Sequence, residues 1–336
     1  MALRKVEIFI DDAFKEDLAE FLEKNEMTDV WWSGEPGKRS VAAFLTIAET
    51  SDELFDRLEK KFADSDAFRI IISPVEAIIP RPEKEEEVAE EPLEEKKEKK
   101  KVYLLRISRA ELYDDVQDFS AMSQNFIIMV ILSAVVAGIG ILTDNIPVLV
   151  GAMVIAPLLG PNIALAFGTV LGDIPLVRRS ASTGLVATVI SLLIAFIWGM
   201  LYGEGLRSMP DPGISLSDII LAFVSGAAGA ITILRGGSSA LVGVMVAVAL
   251  LPPLVRTGLF AGGGLWTQGL HAFLVFLANT ISVNLAGILT FLFAGITPKY
   301  WWEEKKARKY SQRAMLLWSI LLLILVGVVL LLNFYG

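Results

Sequence analysis

LVGAMVIAPLLGP, from Leu149 to Pro161, and LVGVMVAVALLPP, from Leu241 to Pro253, agree at eight of thirteen positions at a fixed offset of 92. Extended back to Ser133 and Ser225, the match is twelve identities in twenty-nine. Val and Leu matches between apolar helices arise cheaply. Gly151 with Gly243, Met153 with Met245 and Pro161 with Pro253 say more, because they fall together around a helix break. Pro157 and Pro161 remove helical donors and crowd the preceding turn, and Gly160 permits backbone angles that other residues resist. The first copy is expected to split into two half-helices there, and Pro252 and Pro253 to do the same in the second.

Around these copies the chain is lipid-soluble. A spanning helix needs about 20 apolar residues. Seven stretches qualify, at roughly 125–142, 146–171, 183–203, 216–234, 239–260, 267–295 and 314–334. Only ten acidic or basic side chains occur in the 180 residues from Phe119 to Pro298. The chain as a whole has 336 residues, 54% hydrophobic, and a mean hydropathy of +0.57. If each stretch crosses, the repeated spans are separated by an odd number of crossings and run oppositely. The expected fold is therefore an all-α membrane bundle of about seven spans. An inverted three-plus-three repeat (about 125–203 and 216–295) is followed by an extra helix, 314–334. Transporters are often built this way, with discontinuous helices meeting near the midplane. A competing topology makes 146–171 and 239–260 re-entrant hairpins, which would move Arg178 and Arg179 to the outer side.

With the N-terminus in the cytoplasm, inner loops hold Arg178, Arg179, Arg235, Lys299, Lys305, Lys306, Arg308, Lys309 and Arg313, while outer loops hold Arg207 and Arg256. That bias predicts an inner-membrane, multi-pass protein with its C-terminus outside. The N-terminal MALRKVEIFIDDAF lacks a long apolar run, so no cleaved signal is expected.

Residues 1–80 read differently. Lys5–Ile10, a stretch beginning Val30-Trp31-Trp32, Val41–Ala48 and Phe68–Ile72 suit strands, and two amphipathic helices carry Leu18, Phe21, Leu22 and Leu54, Leu58, Phe62. The order β-α-β-β-α-β is the split βαβ of ferredoxin-like domains, here a soluble cytosolic head. Asp11 and Asp12 are expected to cap the first helix, and Thr50 or Ser51 the second. Trp31 and Trp32, as strand neighbours, should face opposite ways. Segment 81–101 is a charged linker, with fifteen charges in the nineteen residues from Glu83 to Lys101. In 102–124, Val102–Ile107 reads as a strand. Arg109–Gln124 reads as an amphipathic helix with Leu112, Val116, Phe119 and Met122 on one face, lying in the membrane interface. The membrane part is 125–336.

The repeat motif, with Gly172-Asp173 and Leu251-Pro252-Pro253, resembles a prokaryotic hydrophobic family known as domain of unknown function 389. The resemblance covers about 120 to 300. It implies a multi-pass membrane protein of bacteria or archaea and names no substrate.

Candidate pathway residues are Pro157, Gly160, Pro161, Asn162, Pro252, Pro253, Arg256, Asn279, Ser282 and Asn284. Asn279 and Ser282 share a helix face and suit a cation or polar solute, or bonds between helices. Arg256 lies in an apolar segment, where it attracts an anion, pairs with a carboxylate or snorkels. Asp144 reads as a helix cap and Asp173 as the partner of Arg178 or Arg179. Arg235, Gly236, Gly237, Ser238 and Ser239 form either an anion nest or a plain helix start. The lone His271 lacks companion ligands, no cysteine is present, and no nucleophile–base pair or cofactor motif stands out. The net charge of −8 argues against nucleic acid. The expected function is a transporter or channel for a small solute or ion, in the bilayer and as a homo-oligomer. The alternative is a sensor or scaffold that moves nothing and whose head binds ligand.

Overall fold

The computed structural model describes residues 3–25, 27, 29–35, 39–47, 51–62, 65, 67–75, 109–210, 215–236, 239–296, 310, 312–324 and 327. They fall into two compact units, Met1–Leu112 and Tyr113–Gly336.

The first unit runs β1 (Leu3–Asp11), a 3-10 turn (Asp12–Phe14), α1 (Lys15–Lys24), β2 (Trp31–Glu35), β3 (Arg39–Ile47), α2 (Ser51–Phe62) and β4 (Arg69–Pro74). The sheet order is β2-β3-β1-β4 with every pair antiparallel, the arrangement of a split βαβ unit. Val6, Ile8 and Ile10 of β1 pack with Leu18, Leu22, Phe44, Leu54, Leu58 and Phe62. Trp32 packs on that core while Trp31 is exposed, as period-two alternation requires. Gly34 pairs with Ser40 in the β2–β3 hairpin at φ 141°, where a side chain would collide with the Arg39 carbonyl. Asp11 and Asp12 do not cap α1. Asp12 accepts instead from Ser40 Oγ at 2.6 Å, and Asp11 from Ser65 Oγ at 2.9 Å. Their carboxylates thus tie the strand end to two neighbouring segments. Thr50, the side chain of Ser51, the linker and Val102–Ile107 lie outside the described residues.

The second unit is helical: α3 (Arg109–Phe119, begun in the first unit), α4 (Gln124–Leu142), α5 (Ile146–Ile155), α6 (Leu159–Leu171), α7 (Ile174–Leu201), α8 (Gly203–Leu206), α9 (Leu216–Leu234), α10 (Ser239–Gly262) and α11 (Trp266–Phe293), with α12 at Gln312–Ile324. By length and composition α4, α7, Ser217–Leu234 of α9 and α11 are candidate membrane spans, and α5 with α6 makes a fifth if that bent pair is one span. The chain is a membrane protein. Leu185, Val189, Leu193 and Ile197 form an exposed apolar stripe on α7, spaced for lipid contact along one helix face. The third span was expected to begin near 183 but starts at Ile174. Asp173 caps it and Pro175 fits its first turn, where a missing N–H costs nothing.

α3 ends at Phe119 rather than continuing to Gln124, and Met122 beyond it is exposed. The end of α3 does not simply lie on lipid. Thr183 Oγ1 of α7 donates to the Ser120 carbonyl at 2.8 Å. At Gly160 of α6 a Cβ would lie 2.9 Å from the Phe119 carbonyl.

Helix ends recur at the offset of the sequence motif. Adding 92 to α4 (124–142) yields 216–234, the bounds of α9, and adding 92 to α7 (174–201) yields 266–293, the bounds of α11. Ser123 and Ser215 both cap. The left-handed residues Asp144 and Gly172 match Gly236 and Gly264. Contacts recur with the copies exchanged. Gly258 of α10 meets Ala195 of α7, and Gly287 of α11 meets Ala166 of α6. Gly199 meets Leu259, and the corresponding Phe291 and Phe167 rings stack edge to face at 5.3 Å.

Candidate functional site

The two proline-bearing copies differ in shape. In the first, α5 and α6 are separated by Ala156–Leu158 and bent by 49°. Ala156, before Pro157, adopts φ −65°, ψ 119°, the extended geometry a following proline imposes. Pro161 falls in the first turn of α6, where no donor is needed. In the second copy the expected break is absent, because α10 runs unbroken through Pro252 and Pro253. The counterpart of Pro157 is Ala249, which leaves the preceding residue helical. Pro253 still withholds the donor for the carbonyl four residues back. That carbonyl belongs to Ala249, and Asn279 Nδ2 of α11 donates to it at 2.8 Å. A side chain from the neighbouring helix replaces the missing backbone bond.

The first copy is also tied to α11. Asn284 Nδ2 donates to Asn162 Oδ1 at 2.7 Å and to the Thr280 carbonyl at 2.9 Å. Asn162 Nδ2 reaches the Leu158 carbonyl at the break at 2.8 Å. Asn279 and Asn284 are 3% and 0% exposed, and the Oδ1 of each has no partner. Ser282 and Thr280 donate to Ala278 and Phe276 on their own helix. Five residues, or roughly 7.5 Å of helix rise, separate the two asparagines. Packing alone does not require this polarity. At the offset of 92, Asn279, Ser282 and Asn284 correspond to Ala187, Ile190 and Leu192 of α7, and Asn162 corresponds to Leu254 of α10. The equivalent positions on α7 and α10 are thus apolar, although Ser191 of α7 is also buried with no partner for its hydroxyl.

The family described as Domain of unknown function (DUF389) matches residues 153–285, from within the first motif into α11. An uncharacterized protein of Methanocaldococcus jannaschii is 36% identical over 292 residues, covering 85% of this chain and 86% of that protein. The chain belongs to this family. No solved structure matches it.

In this family member none of the charged candidates bonds to the asparagine seam among the described residues. Asp144 does not cap α5; it sits exposed in the turn at φ 49°, and Asn145 caps instead, accepting from Val148 N at 3.2 Å. The signal was legible: Asn145-Ile-Pro and Asp173-Ile-Pro share a cap followed by a first-turn proline. Asp173 makes no ion pair with Arg178 or Arg179, both exposed. It accepts from Leu176 N at 3.0 Å and from Tyr113 Oη at 2.7 Å. Arg256 is half-buried in α10, with no hydrogen-bond or ion-pair partner among the described residues. Arg235 and Gly236 end α9, exposed, with Gly236 left-handed. Gly237, Ser238 and the side chain of Ser239 lie outside the described residues, so the nest has no described geometry. Gly151 and Gly243, shared by both copies, have nothing within 4 Å of a built Cβ.

Tyr113 was not singled out from sequence; a tyrosine on an amphipathic helix carries no signal of its partner. Its hydrogen bond to Asp173, then burial and the charges of Asp173 and Asp114, push its pKa up to about 12. A raised pKa means that the contact stabilises fully below the unfolded value near 10 and is lost as pH rises through 12. Tyr113→Phe is expected to cost about 1 kcal/mol, modest because the pair is partly solvated. Thermal melts in detergent should show a constant gap from wild type up to pH 9, closing toward pH 12. A gap that widens with alkali would exclude the assignment.

Proposed function

We propose that the protein is a membrane transporter or channel for a small solute or ion, with its conduit along the polar side of α11. The reading rests on the asparagines of that helix. They bond to both proline-bearing copies, yet the corresponding helix α7 packs without them. Buried polar side chains at membrane depth are costly unless they serve a pathway or satisfy backbone, and here two acceptors remain unused.

The bundle is read as seven crossings in an inverted repeat, counting α5–α6 as one broken span and adding α10 and α12. The recurrence of helix ends at 92 and the exchanged contacts support it. The 49° bend, far short of a reversal, favours a broken span over a re-entrant hairpin. The charge bias favours a cytoplasmic N-terminus in the inner membrane.

The test is flux into proteoliposomes, using monovalent ions, inorganic anions and small neutral solutes as probes. Wild type is expected to pass at least one probe, and Asn279→Leu to reduce that flux by at least tenfold while remaining folded. Folded protein that passes none of the three classes would refute the conduit and leave the sensor or scaffold.

A further inference from the structure

The polar atoms left over along α11 are all of one kind. Asn279 and Asn284 each spend the amide nitrogen on fixed carbonyl acceptors, Ala249 for the first and Thr280 for the second. Neither amide can flip without setting oxygen against oxygen. Their buried, unpartnered atoms are therefore carbonyl oxygens. The hydroxyls of Thr280 and Ser282 have turned their protons onto their own helix, so what they present is lone pairs. Pro157 and Pro252 withhold donors from the carbonyls four residues earlier, those of Met153 and Val248. The C-terminal end of α5, with the partial negative charge of its helix, lies three residues before Leu158, the residue that Asn162 bonds.

Such a seam accepts and does not donate. Its ligand must be a hydrogen-bond donor or a cation. The ligating groups are neutral. Among the described residues no group of three His, Cys, Asp or Glu side chains gathers to hold a metal. The described carboxylates of α4 to α11 that carry hydrogen bonds, Asp173 and Asp218, are spent on helix starts. Neutral oxygens suit monovalent ions, as the carbonyl filters of potassium channels do, whereas divalent ions call for carboxylates.

We propose that Asn284 Oδ1 is the centre of a binding site for a dehydrated monovalent cation of the sodium or potassium class, beside the α5–α6 break. Asn279 Oδ1 offers the next acceptor along the same helix. The proposal builds on the conduit reading, but binding and flux can fail separately.

The experiment measures thermal stability of the full chain in detergent against sodium, potassium and choline chloride at equal ionic strength, alongside flux. A ligand that binds only the folded state raises the melting temperature in a saturable way. The expected result is a saturable upward shift in sodium or potassium over choline. It should weaken at least tenfold in apparent affinity in Asn284→Leu, and likewise in Asn284→Ser, which is smaller and keeps a hydroxyl should the leucine fail to fold. Equal melting temperatures in all three salts would mean that a buried water alone fills the acceptors, and would overturn the site. So would a shift of unchanged midpoint in a folded Asn284 variant. Specific stabilisation without flux would sustain the site and sink the conduit. Flux without specific stabilisation would do the reverse.

Discussion

Gly199→Val is expected to destabilise the bundle by about 3 kcal/mol or more, enough to lose most folded protein in detergent. A Cβ at Gly199 would collide with the Leu259 carbonyl of α10. On the other side of the contact, Gly258 would place its own Cβ 2.7 Å from the Leu192 carbonyl, and Gly262 would strike the Phe196 carbonyl. Backbone, joined at Gly258 by the rigid Ala195 Cβ, stands in the way each time, so α7 and α10 must move apart. In lipid no hydrophobic drive compensates for lost close packing, because the tails are as apolar as the side chains. Gly151→Val is the control. With nothing within 4 Å of its Cβ, it should cost under about 1 kcal/mol. The measurement is the monodisperse fraction and melting temperature after solubilisation. Equal behaviour of the two variants would show that the α7–α10 contact does not hold the bundle together.

Pro157→Ala should straighten the first copy and, if the proposed conduit holds, cut flux sharply without unfolding the protein. The second copy carries alanine at the matching position, 249, and its helix is continuous. Removing Pro157 restores a donor for the Met153 carbonyl and frees Ala156 to become helical. Taking the halves at 1.5 Å per residue, closing a 49° bend lengthens the segment by about 3 Å. Spin labels at the outer ends of α5 and α6 can resolve that change. Flux should fall at least tenfold, while the melting temperature holds or rises. An unchanged label distance would mean that neighbouring helices, and not the proline, impose the bend.

That contrast between the copies shows where sequence reading stops. Both motifs carry two prolines, and both were expected to break. What separates them is a proline against an alanine, Pro157 against Ala249, and the presence of a rescuing donor. Asn279 is 30 positions from Ala249, and no local pattern announces that pairing. Asp144 and Asp173 went astray for a similar reason. Asp144 was expected to cap and Asp173 to pair with an arginine, but Asn145 won the first cap, and Asp173 caps α7 and accepts from Tyr113, 60 residues away.

The order of strands and helices in the head, the apolar runs, the duplicated motif and its offset follow from sequence alone. Local periodicity and turn chemistry act within a few residues and leave their pattern in the chain. Tertiary structure alone decided that one copy bends while the other is mended, that Gly199 touches Leu259, and that Asn284 holds an unused oxygen inside the bundle. These depend on groups that meet only after α6, α7, α10 and α11 pack, and the bond that a buried carbonyl finds is set by whichever helix arrives beside it.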